Sequence, residues 1–477
     1  MPEPKPLTPE QERELDDAFA RARTAMEQIA DYTQEQLDRL TQAVAWSVAN
    51  YETFSQLVEQ GIAESGLGDP VSRMGKRMKI RGVLRDALAQ KSVGIIEELP
   101  DKGIVKYGKP VGVIGCIVPT TNPDLTPAGN AIYAIKARDA VIFSPHPRSK
   151  KTSYETVRLM REALKAQDAP PDLLQCLTQV NISMSQALMA RADLVIATGG
   201  QPMVRAAYSS GTPAYGVGAG NATVIIDDTA DVAGAAYNTR VSKTSDFGSG
   251  CSADGNLIID ATIYPDMLRA LQEEGGYMAN SSEKEQLRRV MWDESLHRTS
   301  NTVAISPQAL AQSAGFSIPE DRKFIMVEGD GIGREHPFSS EKLTTLLALY
   351  KYDTWEQALD MMRAVYEVGG KGHSCGIYSY NEQHIHELGM AAPVSRIMVR
   401  QPQSKANAGA FNNGMPMTSS LGCGTWGGNI VSENVSLKHY MNTTWVSVPI
   451  EENRPSDEEL FGEFYDPARE PHEAVLS

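Results

Sequence analysis

Cys251 stands in Gly248-Ser249-Gly250-Cys251-Ser252. Small neighbours leave room for a substrate carbon to approach the sulfur, and the apolar segment 256–259 follows soon enough to anchor the loop. A thiolate is the attacking form of cysteine, so the loop would have to favour it at reaction pH. A lone cysteine also packs as a small hydrophobe, and both readings stay open on the residues alone. Cys116 and Cys176 sit in apolar runs and read as core, whereas Cys375 and Cys423 lie in glycine-rich loops. Five cysteines cannot all pair, and no CxxC or cysteine–histidine cluster has zinc spacing. The eight histidines are scattered without an HExxH pattern, so no protein metal site is expected. Gly216, Gly218 and Gly220 give GxGxG rather than GxGxxG, which tight turns alone would also explain.

The elements that must position these residues change character along the chain. The first hundred residues read as helical. Thr33 and Gln36 make a capping box, and Leu37, Leu40, Val44 and Val48 then recur on one face. Segment 74–89 (MGKRMKIRGVLRDALA) predicts a basic helix with a solvated charged face. From Val111 short apolar runs appear: 111–119, 140–145, 173–180, 193–200 and 222–228, with helical stretches between most of them. That alternation predicts a parallel sheet covered on both faces, with ligands past the carboxyl ends of its strands. The loops PTTNP, SPHPR, TGGQP and GVGAGN are where backbone can approach a phosphate or ribose. A second α/β stretch runs from about 241 to 426, and the alternating segment after Trp426 predicts a late strand. There is no internal repeat.

Lys and Arg total 45 and Asp and Glu 60, a formal charge of −15. Residues 451–477 hold nine acids and two bases, a net of −7, so the rest carries −8. An acidic surface argues against nucleic-acid binding and against docking on anionic membranes. No apolar run approaches the roughly 20 residues of a membrane span, and the polar N-terminus has no signal core. The expectation is a cytoplasmic globular protein.

Seven segments in order, VGVIGCIVPTTNP, AVIFSPHPRSK, ATGGQPMVRAAYSSGTPAYGVGAGN, SKTSDFGSGCSADGN, EKLTTLLALY, GGKGHSCGIYS and LGCGTWGGNIVSENVSLKH, resemble the CoA-acylating aldehyde dehydrogenases. The likeness covers about 108–446 and extends to the aldehyde-oxidising half of bifunctional aldehyde–alcohol dehydrogenases. It implies the α/β aldehyde dehydrogenase fold: two Rossmann-like parallel-sheet domains plus a small β-hairpin for oligomerisation. The corresponding boundaries are a cofactor domain 1–238, with an oligomerisation strand near 96–110, and a catalytic domain 239–428. Residues 429–450 return to the cofactor domain with the second oligomerisation strand, and 451–477 form an acidic tail. A homodimer or homotetramer is implied.

The resemblance also assigns parts. Cys251 attacks the aldehyde, and its backbone N–H with the Asn122 side chain holds the oxyanion, although Asn122 before Pro123 also suits an Asx turn. His373 serves the transfer of the acyl group to coenzyme A; otherwise it is a loop histidine. NAD or NADP is held by Thr121, His146, Arg148, Lys150, Thr198, Gly199, Gly200, Gly218 and Glu341. Lys150 and Lys151 could meet a 2′-phosphate or form an exposed first helical turn. Hydrolytic relatives carry a glutamate where this chain has Val217, so water should not be activated and the thioester should await a thiol. Asp254 is the competing base. Arg400 and Lys405 stand in a loop that lines the aldehyde mouth in the family, where they suit an anionic aldehyde such as sulfoacetaldehyde. They could equally meet CoA phosphates or solvent. Acetaldehyde or another short aldehyde, and a non-catalytic dinucleotide-binding scaffold, remain the alternatives.

Overall fold

The computed structural model describes residues 6–469. Residues 1–5 and the end of the acidic tail, 470–477, lie outside the described residues. The chain opens with helices Pro9–Gln28, Gln34–Ala49 and Tyr51–Ser65. Thr8 and Thr33 close capping boxes at the first two, satisfying N–H groups a helix start leaves free. Leu37, Leu40, Val44 and Val48 are buried, on the face that packs against helices Leu125–Ala137 and Lys150–Lys165.

Two antiparallel strands follow, β1 (Gly94–Leu99) and β2 (Ile104–Pro110). Next come five parallel strands: β3 (Val113–Ile117), β4 (Ala140–Ser144), β5 (Leu174–Cys176), β6 (Leu194–Thr198) and β7 (Ala214–Val217), in spatial order β5-β4-β3-β6-β7. Seven more parallel strands form a second sheet: β8 (Thr223–Ile226), β9 (Asn256–Asp260), β10 (Gly276–Met278), β11 (Phe324–Glu328), β12 (Leu346–Tyr352), β13 (Cys375–Tyr378) and β14 (Ile397–Val399). Their order is β10-β11-β12-β9-β8-β13-β14. The last strand, β15 (Met441–Ser447), returns to pair antiparallel with β2.

The apolar runs are buried on both faces because helices cover both. In β8, Val224 and Ile226 enter one core layer and Ile225 the other, the two-residue alternation of a pleated strand. Full burial of each such side chain stabilises by about 1.5–3 kcal/mol. One expectation changes. The run 222–228 pairs with β9 and β13, not with the first sheet. The crossing between sheets therefore comes before β8, not at residue 238. A continuous apolar run specifies burial on two faces but carries no information on which sheet supplies its neighbours.

Candidate active site

The site lies where two sheets present opposite ends. Thr121, His146 and Thr198–Gly200 follow β3, β4 and β6, at the carboxyl ends of the five-stranded sheet. Cys251, Glu341 and His373 precede β9, β12 and β13, at the amino ends of the seven-stranded sheet.

His373 Nε2 lies 3.0 Å from Cys251 Sγ. The histidine is buried, and its ring is held from behind: Nδ1 is 2.9 Å from Ser374 Oγ, which accepts from Asn407 Nδ2 at 2.9 Å. Gln403 supports this row, its Nε2 donating to Thr223 O and to Asp254 Oδ1. Asp254 thus faces Gln403, and its carboxyl is pushed up to about 7 by burial. Desolvation also raises the Cys251 thiol to about 12, and the carboxylate of Glu341 adds to the effect. Burial lowers His373 to about 3, with the guanidinium of Arg396 assisting. Arg396 itself donates to the carbonyls of His373 and Gly422. The resting pair is thiol and neutral imidazole.

The loop before Cys251 is strained. Asp246 and Phe247 both have φ of 51°; aspartate tolerates this left-handed region, whereas phenylalanine does not readily adopt it. Such positions cost on the order of 1–3 kcal/mol and persist only when surroundings impose them. Asp246 is the fixing point. It accepts from Arg73 Nη2 at 3.0 Å, Lys76 Nζ at 2.6 Å, Asp69 N at 2.9 Å and Ser249 Oγ at 3.0 Å. Lys76 and Arg73 also donate to Thr121 O, at 3.1 and 3.4 Å. These two cations therefore tie the nucleophile's loop to the loop bearing Asn122. The solvated-face expectation for segment 74–89 fails here. Charge pattern alone could not distinguish a cation facing water from one facing a carboxylate some 170 positions away. Neither Arg73, Lys76 and Asp246 nor Ser374 and Asn407 were found from sequence, although Asp246 stands in SDFGSGC, five residues before the nucleophile.

Two close approaches explain glycines in the site. A Cβ on Gly220 would strike Cys251 O, and one on Gly372, at φ +81°, would strike Cys423 O. Gly220 N donates to Glu341 Oε1 at 3.1 Å, and burial raises that carboxyl to about 7. Val217 is buried at the end of β7, and Gly218 N–H faces the Cys423 sulfur. Gly200 starts helix Gln201–Tyr208 with no side chain capping it; Pro202 has no N–H, and the N–H groups of Met203 and Val204 donate to Gly200 O at 2.9 and 3.2 Å. The buried Thr120 Oγ1 has no partner. His146 accepts from Arg148 N at 3.2 Å, and Arg148 Nη2 donates to Ser65 O. Lys150 begins helix Lys150–Lys165 exposed. Glu64 accepts from the N–H groups of Lys151 and Thr152 in that first turn, at 2.8 and 2.9 Å.

Arg400 does not join the site. It follows β14 at the carboxyl end of the seven-stranded sheet, donates to Ser379 O beyond β13, and stacks on Tyr380 with 4.5 Å to the ring centre. At about 3.3 Å per residue, the four residues from Cys375 to Ser379 separate it from the nucleophile's end by roughly 13 Å. Lys405, five residues on, has returned to the other end: its Nζ donates to Ser245 Oγ at 2.8 Å.

A family model for the aldehyde dehydrogenase family matches residues 7–282. A sulfoacetaldehyde dehydrogenase from Acholeplasma sp is 42% identical over 449 residues, covering 93% of both chains. A sulfoacetaldehyde dehydrogenase (acylating) from Bilophila wadsworthia is 40% identical, over 93% of this chain and 97% of its own. The crystal structure of an acetylating aldehyde dehydrogenase from Geobacillus thermoglucosidasius superposes with a TM-score of 0.90 at 33% identity, covering 94% of this chain and 99% of that one.

Proposed function

The chain belongs to the aldehyde dehydrogenase family and is an NAD(P)-dependent, CoA-acylating member of it; from this premise we propose that it converts sulfoacetaldehyde to sulfoacetyl-CoA, with Cys251 as nucleophile and His373 as its proton partner. The observation that carries the assignment of the two residues is the 3.0 Å contact between Cys251 Sγ and His373 Nε2 in a buried setting. The likeness to two sulfoacetaldehyde dehydrogenases supports the substrate.

The chemistry follows from the pair's neutral resting state. As the sulfur bonds the carbonyl carbon, the thiol proton passes to His373 Nε2, so charge separates only when the oxyanion forms. The N–H of Cys251 and the amide of Asn122 receive that oxyanion. A bound nicotinamide would supply the hydride acceptor, so that the oxyanion carbon is oxidised to a thioester held on Cys251. Thr121, Thr198, Gly199, Gly200 and Gly218 would line its approach, Glu341 would offer a carboxylate to ribose hydroxyls, and His146, Arg148 and Lys150 would hold the adenosine end. Val217 cannot act as a base, and Asp254 is turned toward Gln403. With water unassisted, and once His373 has released the first proton to solvent, the thioester is released by the thiol of coenzyme A, whose proton passes through His373 to the departing Cys251 sulfur. The balance is aldehyde, CoA thiol and NAD(P)⁺ giving acyl-CoA, NAD(P)H and a proton.

Following NAD(P)H absorbance with sulfoacetaldehyde and acetaldehyde, with and without coenzyme A, tests the reading. The expectation is strict CoA dependence and a kcat/KM for sulfoacetaldehyde about tenfold or more above acetaldehyde, a barrier difference of roughly 1.4 kcal/mol. Equal kcat/KM for the two aldehydes would remove the substrate assignment. Equal rates without CoA would remove the role given to Val217.

A further inference from the structure

With Arg400 at the wrong end of the sheet, the acid group of an anionic aldehyde needs another counter-charge. Helix Arg77–Leu88 and the short helix Gln403–Ala406 supply one. Lys79 Nζ donates to Lys405 O at 2.7 Å and to Gly409 O, and Lys405 Nζ donates to Ser245 Oγ at 2.8 Å. Neither lysine makes an ion pair among the described residues. The carboxylate of Asp246, which acts on Lys405, is already shared by Arg73 and Lys76. Lys405 thus sits beside Lys76 and a carboxylate that is spoken for twice, and Lys79 sits beside Lys405, in partly buried positions where unpaired charge is costly. Neutral acceptors take two of the three N–H donors of Lys79 and one of those of Lys405, so N–H donors remain for a ligand.

The place is right for the site. Ser245, which Lys405 touches, begins the turn Ser245–Gly248 that leads into Cys251. Asn407, two residues past Lys405, holds Ser374 behind His373. Lys76 reaches the carbonyl of Thr121 beside Asn122. Resting on the acylating reading above, we propose that Lys79 and Lys405 together form the seat for the sulfonate or carboxylate of the aldehyde, and set the enzyme's preference for anionic substrates. Burial among like charges draws Lys79 down to about 8 and lowers Lys405 as well, which an arriving anion would relieve. The carbonyls of Lys405 and Gly409 fix Lys79 as a point charge, so the seat recognises negative charge rather than planar shape.

The test compares Lys79→Met and Lys405→Met, which keep the aliphatic stems, with Lys405→Arg, which keeps the charge. The readout is the ratio of kcat/KM for an anionic aldehyde to that for acetaldehyde, measured with sulfoacetaldehyde and with succinate semialdehyde. The expected result is a fall in that ratio of about 10- to 100-fold in each Met variant, the scale of a charge-assisted hydrogen bond, with the Arg variant retaining most of it. A second readout uses ethanesulfonate, which should slow alkylation of Cys251 by iodoacetamide in the unaltered enzyme and not in the Met variants. An unchanged ratio, or a raised KM for coenzyme A with the ratio intact, would overturn the seat. If succinate semialdehyde is preferred over sulfoacetaldehyde and its preference falls in the Met variants, the seat stands and the sulfoacetaldehyde assignment falls.

Discussion

Cys251 and His373 are both shifted toward their neutral forms. The thiol is raised to about 12 and the imidazole lowered to about 3, each chiefly by desolvation. A thiolate–imidazolium pair would be alkylated at a rate that levels off near neutrality. The thiol described here should instead be alkylated about tenfold faster per pH unit from pH 6 to 9, because the thiolate fraction is still rising. Iodoacetamide kinetics on the cofactor-free enzyme measure this, and a plateau near pH 7 would refute the neutral pair. The identity of the nucleophile was legible in its small, polar neighbours and in the family resemblance. The row Ser374, Asn407, Gln403 behind His373 was not. Ser374 and Asn407 stand 33 positions apart, Gln403 reaches partners 149 and 180 positions away, and all look like ordinary loop polars until β13 and β14 bring them together. Arg400 was misplaced for the opposite reason: its neighbour in sequence, Lys405, does reach the nucleophile's loop, and a strand end with a reversing chain put them at opposite sides.

At the scale of elements, the parallel strands were readable because burial on both faces demands continuous apolar runs. The tie between the basic segment and the nucleophile's loop was not, since it depends on one buried carboxylate. That tie can be tested by stability. Burial alone would raise the Asp246 carboxyl, but Lys76 and Arg73 outweigh it and hold the group well below the usual carboxylate range. A carboxylate depressed in the folded state contributes stability that is present above its unfolded pKa, about 3.9, and is lost as pH falls below it. Asp246→Asn keeps the shape and removes the charge, leaving the fully buried Arg73 unpaired. The expected destabilisation is about 3–5 kcal/mol in urea unfolding, the scale for breaking a buried pair. The variant should also lose part of the acid sensitivity between pH 5 and 2. Phe247, released from its left-handed conformation, should let the Cys251 loop relax, so activity should fall further than stability alone accounts for.

At the scale of the whole molecule, net charge is a poor guide. The −15 argues against nucleic acid as a partner but hides a cluster of Arg73, Lys76, Lys79 and Lys405 beside the nucleophile's loop, while almost half of the excess sits in residues 451–477. The more telling whole-molecule feature is the three-stranded sheet β1-β2-β15. Its outer strand β15 pairs on one side only, and the face and end of the sheet expose Trp445, Val446, Val448 and Ile450, at 58%, 45%, 56% and 56%. A free edge with apolar side chains is a template for another chain, and proteins do not ordinarily leave one open. Lys106 covers part of Trp445, its Nζ 4.2 Å from the ring centre, but Val446 and Val448 stay 45% and 56% exposed among the described residues. The arrangement predicts that a second copy of the chain closes this edge. Replacing Val446 and Val448 together by lysine places two charges where the partner would pack, without touching the pairing of β15 with β2. Light scattering coupled to size-exclusion chromatography should then give the mass of a single chain, where the unaltered protein gives a multiple of it. Cys251 lies in the loop before β9, outside the β1-β2-β15 sheet, so the monomer should still be alkylated at its thiol with the same pH dependence. An unaltered protein that already runs as one chain would show that β15 is not the assembly edge.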